Sequence, residues 1–122
     1  MEKEKKLKVY LAGKLNAEAV GYNNNRSKMM HCAINLHNLG YSVFVPCLVE
    51  QLALVDTKDW IYDDYFLNSQ PWLEASDVIY LVPGWQGSKG TEEEIESAIK
   101  LNIPIFEDIL TLNTWRKQLV KE

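Results

Sequence analysis

At 122 residues the chain suits one compact core, and no second domain is expected. Its composition, 47% hydrophobic and 25% charged, is that of an ordinary globular protein and excludes a disordered or fibrous one. The formal net charge of −4 excludes a broad nucleic-acid surface, which would rest on many lysine and arginine contacts to phosphates, but it allows a small anionic ligand bound locally.

The chain opens on Lys3, Lys5, Lys6 and Lys8 interleaved with Glu2 and Glu4, a solvated lead ahead of the first strand. No apolar stretch approaches the roughly 18 residues of a membrane span, and no signal-peptide apolar region follows the N-terminus. A cytoplasmic location is expected. Cys32 and Cys47 stand apart without metal-ligand spacing and read as reduced, packing thiols.

Residues 7–13, Leu-Lys-Val-Tyr-Leu-Ala-Gly, read as a buried first strand ending in a glycine turn. Asn23, Asn24 and Asn25 then predict the cap of a helix over 26–39, closed by Gly40. Residues 41–46 form a second strand, and 56–75 read as mostly helical with an interruption near Pro71. A third strand covers 77–82. A helix over 92–101, a short strand at 103–106 and a C-terminal helix over 109–119 follow. Strands alternating with helices imply a parallel sheet covered on both faces. In such sheets ligands sit beyond the carboxyl ends of the strands where strand order reverses, so the loops after Gly13 and after Val82 are expected to face one another.

The segment after the third strand carries the densest chemistry. Pro83-Gly84-Trp85-Gln86-Gly87-Ser88-Lys89-Gly90-Thr91 is a Gly-rich turn opening a helix, whose first amides are free to hold an anion. Three glutamates follow at 92, 93 and 94. Taking about 100° per residue, the apolar stripe of Ile95, Ala98 and Ile99 is flanked by Glu92 and Glu94, while Glu93 points away. Periodicity leaves Glu92 and Glu94 open as candidates. The same residues also fit a capping box, with Thr91 as N-cap and Glu94 reaching back to its N–H.

Tyr10-Leu11-Ala12-Gly13, Ala75-Ser76-Asp77-Val78-Ile79 and the turn Ser88-x-Gly90-Thr91-x-x-Glu94, preceded by Pro83-Gly84-Trp85, together resemble the nucleoside 2-deoxyribosyltransferase superfamily. That superfamily includes the 2′-deoxynucleoside 5′-phosphate N-hydrolases, and the likeness is greatest to its small phage and bacterial members. It spans about residues 8–106, and the Ser-x-Gly-x-x-x-Glu spacing is its most specific part.

The resemblance implies an α/β fold, a single three-layer flavodoxin-like (Rossmann-like) domain with a four- to five-stranded parallel sheet. It implies cleavage or transfer of the N-glycosidic bond of a (deoxy)nucleoside 5′-monophosphate, with Glu94 attacking the sugar C1′. A carboxylate suits this step because positive charge develops at C1′. Ser88 and Gly90, with the Thr91 amide nearby, would hold the 5′-phosphate. Tyr10 and Gly13 would border the sugar, Gly13 through its missing Cβ. Arg26 would reach a phosphate from the start of its helix, Lys89 could add charge or simply face solvent, and Trp85 would wall the pocket.

Several relatives carry an acid where this chain has Ser69. Asp64, or its neighbour Asp63, is the substitute on hand. The aromatic run Trp60, Tyr62, Tyr65, Phe66 and Trp72 suits stacking on a base as well as helix packing. His31 and His37 do not share a helix face, and neither a metal nor a cofactor is needed for this chemistry. The transferases complete their sites with an asparagine from a neighbouring subunit, for which Asn113 is the nearest equivalent, so a homodimer or higher homo-oligomer is expected. Two other readings stand beside this one. Pro83-Gly84-x-x-Gly87-x-x-Gly90-Thr91-x-x-Glu94 loosely resembles cytokinin-activating phosphoribohydrolases, and a nucleotide-binding module without turnover fits Ser69.

Overall fold

The computed structural model describes residues 6–15 and 19–120. Lys3 and Lys5 of the basic lead lie outside them. Four short strands, β1 (Lys8–Ala12), β2 (Ser42–Phe44), β3 (Val78–Leu81) and β4 (Ile105–Phe106), form one parallel sheet in the order β2-β1-β3-β4. Helices α1 (Ala19–Asn38), α2 (Glu50–Val55), α3 (Tyr62–Glu74), α4 (Lys89–Lys100) and α5 (Ile109–Val120) connect and cover it. A 3₁₀ turn, Pro46–Leu48, leads into α2. This is the three-layer, flavodoxin-like arrangement predicted, with four strands.

The strands are apolar on both faces because both faces are covered. Val9, Leu11, Val78 and Tyr80 point to one side and pack with Met29 and Leu36 of α1 and Leu112 of α5. Tyr10, Ala12, Ile79 and Leu81 point to the other and pack with Leu73 of α3 and Ala98 of α4. This alternation is the period of two that a pleated strand imposes, and each large buried side chain stabilises the fold by about 1.5–3 kcal/mol. Asp77 fixes the start of β3 against β1, its Oδ2 accepting from the Lys8 N–H at 2.7 Å.

Several element boundaries differ from those predicted. Helix α1 begins at Ala19, so Asn23, Asn24 and Asn25 lie inside it and do not cap it. Asparagine's local competition for backbone bonds is weak beside tertiary anchoring. Here the early turns are tied down by the Tyr22 hydroxyl, which donates to Glu50, and by the Asn25 amide, which donates to the Leu15 carbonyl. Gly40 does close the helix, with φ of +98°. Residues 56–61 are not helical, and Pro71 lies within α3 without interrupting it. The helix holds past the proline because Leu73 is buried and Trp72 stacks on Phe44, which in turn stacks on Tyr10. Cys32 and Cys47 are both free thiols, packed against or within the first core.

Candidate active site

Strand order reverses between β1 and β3, and there the two chain segments leave the sheet side by side. The Val82 N–H donates to the Ala12 carbonyl at 2.8 Å, drawing the following loops together as expected. A Cβ on Gly13 would stand 2.8 Å from the Val82 Cβ. Packing against Val82 therefore calls for a glycine at this position. Above this junction opens a cavity of about 520 Å³, within the range of small-molecule sites. Its walls are the first loop at Gly13, Lys14 and Leu15, the α3 face carrying Tyr62, Tyr65, Phe66, Ser69 and Gln70, and the turn from Gly87 into α4. Tyr10, Met29, Pro46, Glu50 and Glu94 complete it.

The turn is shaped by Gly84 and Gly87, at φ of +86° and +84°, where side chains are strained. Ser88 then caps α4. Its Oγ accepts from the Thr91 amide at 3.2 Å and from the Thr91 hydroxyl at 2.9 Å. Thr91 is thus not the N-cap that the sequence suggested: it is buried within the first turn, and its amide is already used. The amides of Lys89 and Gly90 have no intrahelical acceptor and border the cavity. A Cβ at Gly90 would meet nothing within 4 Å, so this rim is open. Lys89 lines the cavity while keeping its side chain largely exposed.

Of the three glutamates, Glu94 alone enters the cavity. Glu92 is exposed, and Glu93, expected to point away, instead accepts a hydrogen bond from the Tyr62 hydroxyl because α3 lies over that side of α4. Burial pushes the Glu94 carboxyl up to about 7; the Tyr10 hydroxyl beside it offsets part of that, and the Glu93 charge adds to it. Tyr10 is held well above its usual range by burial first and the Glu94 charge second, while Ser69 contacts the same hydroxyl and acts in the opposite direction. A strand, α3 and α4 thereby bring Tyr10, Ser69 and Glu94 to one point.

Other predicted residues are not brought there. Asp64 sits at the start of α3 with Oδ2 accepting from the Ile61 N–H at 3.0 Å and Oδ1 paired to Lys58 at 3.0 Å. Both oxygens serve the helix start, and Asp63 is exposed beside it, so neither replaces an acid at Ser69. Arg26 lies in the middle of α1, since that helix starts earlier than predicted, with its guanidinium beside Tyr22 and Cys47 and its Nε buried without a hydrogen-bond partner. Trp85 packs against the second core and donates to Glu107 at 3.2 Å, away from the cavity wall.

Asn113 accepts from the Tyr41 hydroxyl at 2.7 Å within the fold. Of the aromatic run, Tyr62, Tyr65 and Phe66 line the cavity, whereas Trp60 packs on Tyr65 and Trp72 on Phe44. Glu50, Gln70 and Lys14 are cavity residues that sequence reasoning missed. Glu50 follows the 3₁₀ turn and carries no motif, so only its 28-residue contact with Tyr22 marks it. Among the described residues no cluster of three or more His, Cys, Asp and Glu suits a metal, and no helix is long and apolar enough to cross a membrane.

A family model described as Domain of unknown function (DUF4406) matches residues 7–107. Among solved structures, the 2-deoxyribosyltransferase of the psychrotolerant bacterium Bacillus psychrosaccharolyticus superposes with a TM-score of 0.61 at 20% identity, covering 80% of this chain and 69% of that one. That likeness speaks for the fold. No curated protein matches the chain.

Proposed function

The chain belongs to the family described as a domain of unknown function (DUF4406), and we propose that this member cleaves or transfers the N-glycosidic bond of a (deoxy)nucleoside 5′-monophosphate with Glu94 as nucleophile. The observation that carries the reading is a carboxyl group, half-buried in a nucleotide-sized cavity at the switch point of a parallel sheet, beside a helix N-terminus with free amides. The fold shared with a 2-deoxyribosyltransferase supports it.

In the proposed reaction the 5′-phosphate docks on the Lys89 and Gly90 amides, where the helix dipole favours an anion. Lys14 and Lys89 add positive charge at the rim. The ionised Glu94 carboxylate attacks C1′, a C–O bond forms as the C1′–N bond breaks, and the electron pair leaves with the base, which takes up a proton. Water or a second base then attacks C1′ and frees Glu94. The Tyr10 hydroxyl beside Glu94 favours the ionised form and holds the carboxyl below where burial alone would put it.

Base release from a panel of nucleoside monophosphates, followed chromatographically, tests the proposal. Wild type is expected to release base, and Glu94→Gln to lose at least about a thousandfold in rate. Undiminished release by Glu94→Gln refutes the role of Glu94.

A second reading has its own support: with Ser69 in place of an acid and Asp64 engaged elsewhere, no acid other than Glu94 and Glu50 lines the cavity among the described residues. A binding module without turnover would give saturable nucleotide binding by calorimetry and no base after long incubation. We further propose a homo-oligomer, supported by the exposed Leu52, Leu54, Val55, Ile61 and Leu67 on and between α2 and α3. Light scattering that returns a strict monomer would overturn it.

A further inference from the structure

The cavity has two ends of opposite electrostatic character. Because the sheet runs β2-β1-β3-β4, the segments following β2 and β3 leave it on opposite sides of β1. On the β3 side stands the N-terminus of α4. On the β2 side stands Glu50, the first residue of α2, lining the same cavity. The Tyr22 hydroxyl donates to Glu50 Oε2 at 2.7 Å, which fixes the carboxylate and leaves Oε1 for a ligand. Among the described residues no cation lies within ion-pairing distance of Glu50; Arg26 nearby is turned to Tyr22 and Cys47.

A carboxylate accepts hydrogen bonds, cannot donate them, and repels anions. A nucleotide in this cavity therefore lies with its phosphate at α4 and its base toward Glu50. Tyr65 and Phe66 supply aromatic surface along that path. We infer that Glu50 selects a nucleobase bearing an exocyclic amino group, whose N–H donates to the carboxylate, against bases that present a carbonyl oxygen there. The inference rests on the nucleotide reading given above. A base with an oxo group at that edge would face the carboxylate oxygen with lone pair against lone pair, and both groups would lose water without a partner.

The test is calorimetric binding to the full chain in a Glu94→Gln background, where base release does not intrude. The probes are 2′-deoxyadenosine 5′-monophosphate, its analogue with hydrogen in place of the 6-amino group, and 2′-deoxyinosine 5′-monophosphate. The adenine nucleotide is expected to bind about tenfold or more tightly than the analogue, as for a hydrogen bond to a charged group. Adding Glu50→Leu should erase that preference, because leucine has no acceptor, and adding Glu50→Gln instead should strengthen binding of the inosine nucleotide, because the carboxamide can donate to an oxo group; a gain of this kind does not arise from misfolding. Equal affinities for the adenine nucleotide and its analogue, or a preference that survives Glu50→Leu, overturn the inference alone. Failure of all three nucleotides to bind overturns the nucleotide reading and the inference with it.

Discussion

Tyr10 and Glu94 meet at the centre of the cavity from opposite sources, the middle of β1 and the second turn of α4, and each perturbs the other. The hydroxyl lowers the carboxyl against the larger effect of burial, and the carboxyl raises the phenol. Phe44 and Trp72 stack behind Tyr10 in series, so the ring has little freedom to turn away.

The ionised form of Glu94 is the proposed nucleophile, so kcat/KM should rise with pH through about 7 and then level. Tyr10→Phe removes the interaction that lowers the carboxyl, and the rising limb should move to higher pH. A pH–rate profile of both proteins measures the displacement.

The same burial makes stability depend on pH. Between about 4.5, where Glu94 titrates in the unfolded chain, and about 7, the folded protein holds a proton that the unfolded chain has released. Stability from this group is therefore lost as pH rises through that window, by up to about 3 kcal/mol. Glu94→Gln lacks the titration, so denaturant melts at pH 5 and pH 8 should show the variant gaining on wild type at the higher pH.

Ser88→Ala deletes the acceptor for both the amide and the hydroxyl of Thr91. A lost N-cap costs about 1 kcal/mol, and α4 would fray where the phosphate is proposed to dock. Thermal unfolding should show the loss of stability, and titration with a nucleoside monophosphate should show a larger loss of affinity than titration with the free nucleoside.

Gly13→Ala would drive a methyl to 2.8 Å from Val82 Cβ and 3.4 Å from the Met29 terminal carbon. Overpacking of this kind costs about 1–3 kcal/mol. Combining it with Val82→Ala should recover little of that loss in chemical denaturation, because alanine removes the Cγ2 at 3.1 Å but keeps the Cβ at 2.8 Å.

The contrast between Glu94 and Asp64 shows where sequence reasoning stops. Both are acids near the start of a helix, and both were candidates. Periodicity leaves Glu92 and Glu94 open, and it is the resemblance of the turn Ser88-x-Gly90-Thr91-x-x-Glu94 to the deoxyribosyltransferase superfamily that singles out Glu94. Asp64 had no such motif, and its oxygens went to Ile61 and Lys58. Arg26 and Trp85 likewise lie outside the cavity lining, one inside α1 and the other packed against the second core. Glu50 was invisible because nothing near it in the chain points to Tyr22.

By itself the sequence determined the alternation of strands and helices, the apolar strands that require two covered faces, and the Gly-rich turn with its glutamates, all of which follow from periodicity and local backbone preference. Tertiary structure decided which glutamate enters the cavity, that Ser88 and not Thr91 caps the helix, that Gly13 packs on Val82, and that Tyr10, Ser69 and Glu50 share a cavity with Glu94. Those outcomes depend on burial and on contacts between distant segments. They arise only once the sheet has set β2, β1 and β3 side by side, so that residues far apart in the chain change one another's solvation and charge.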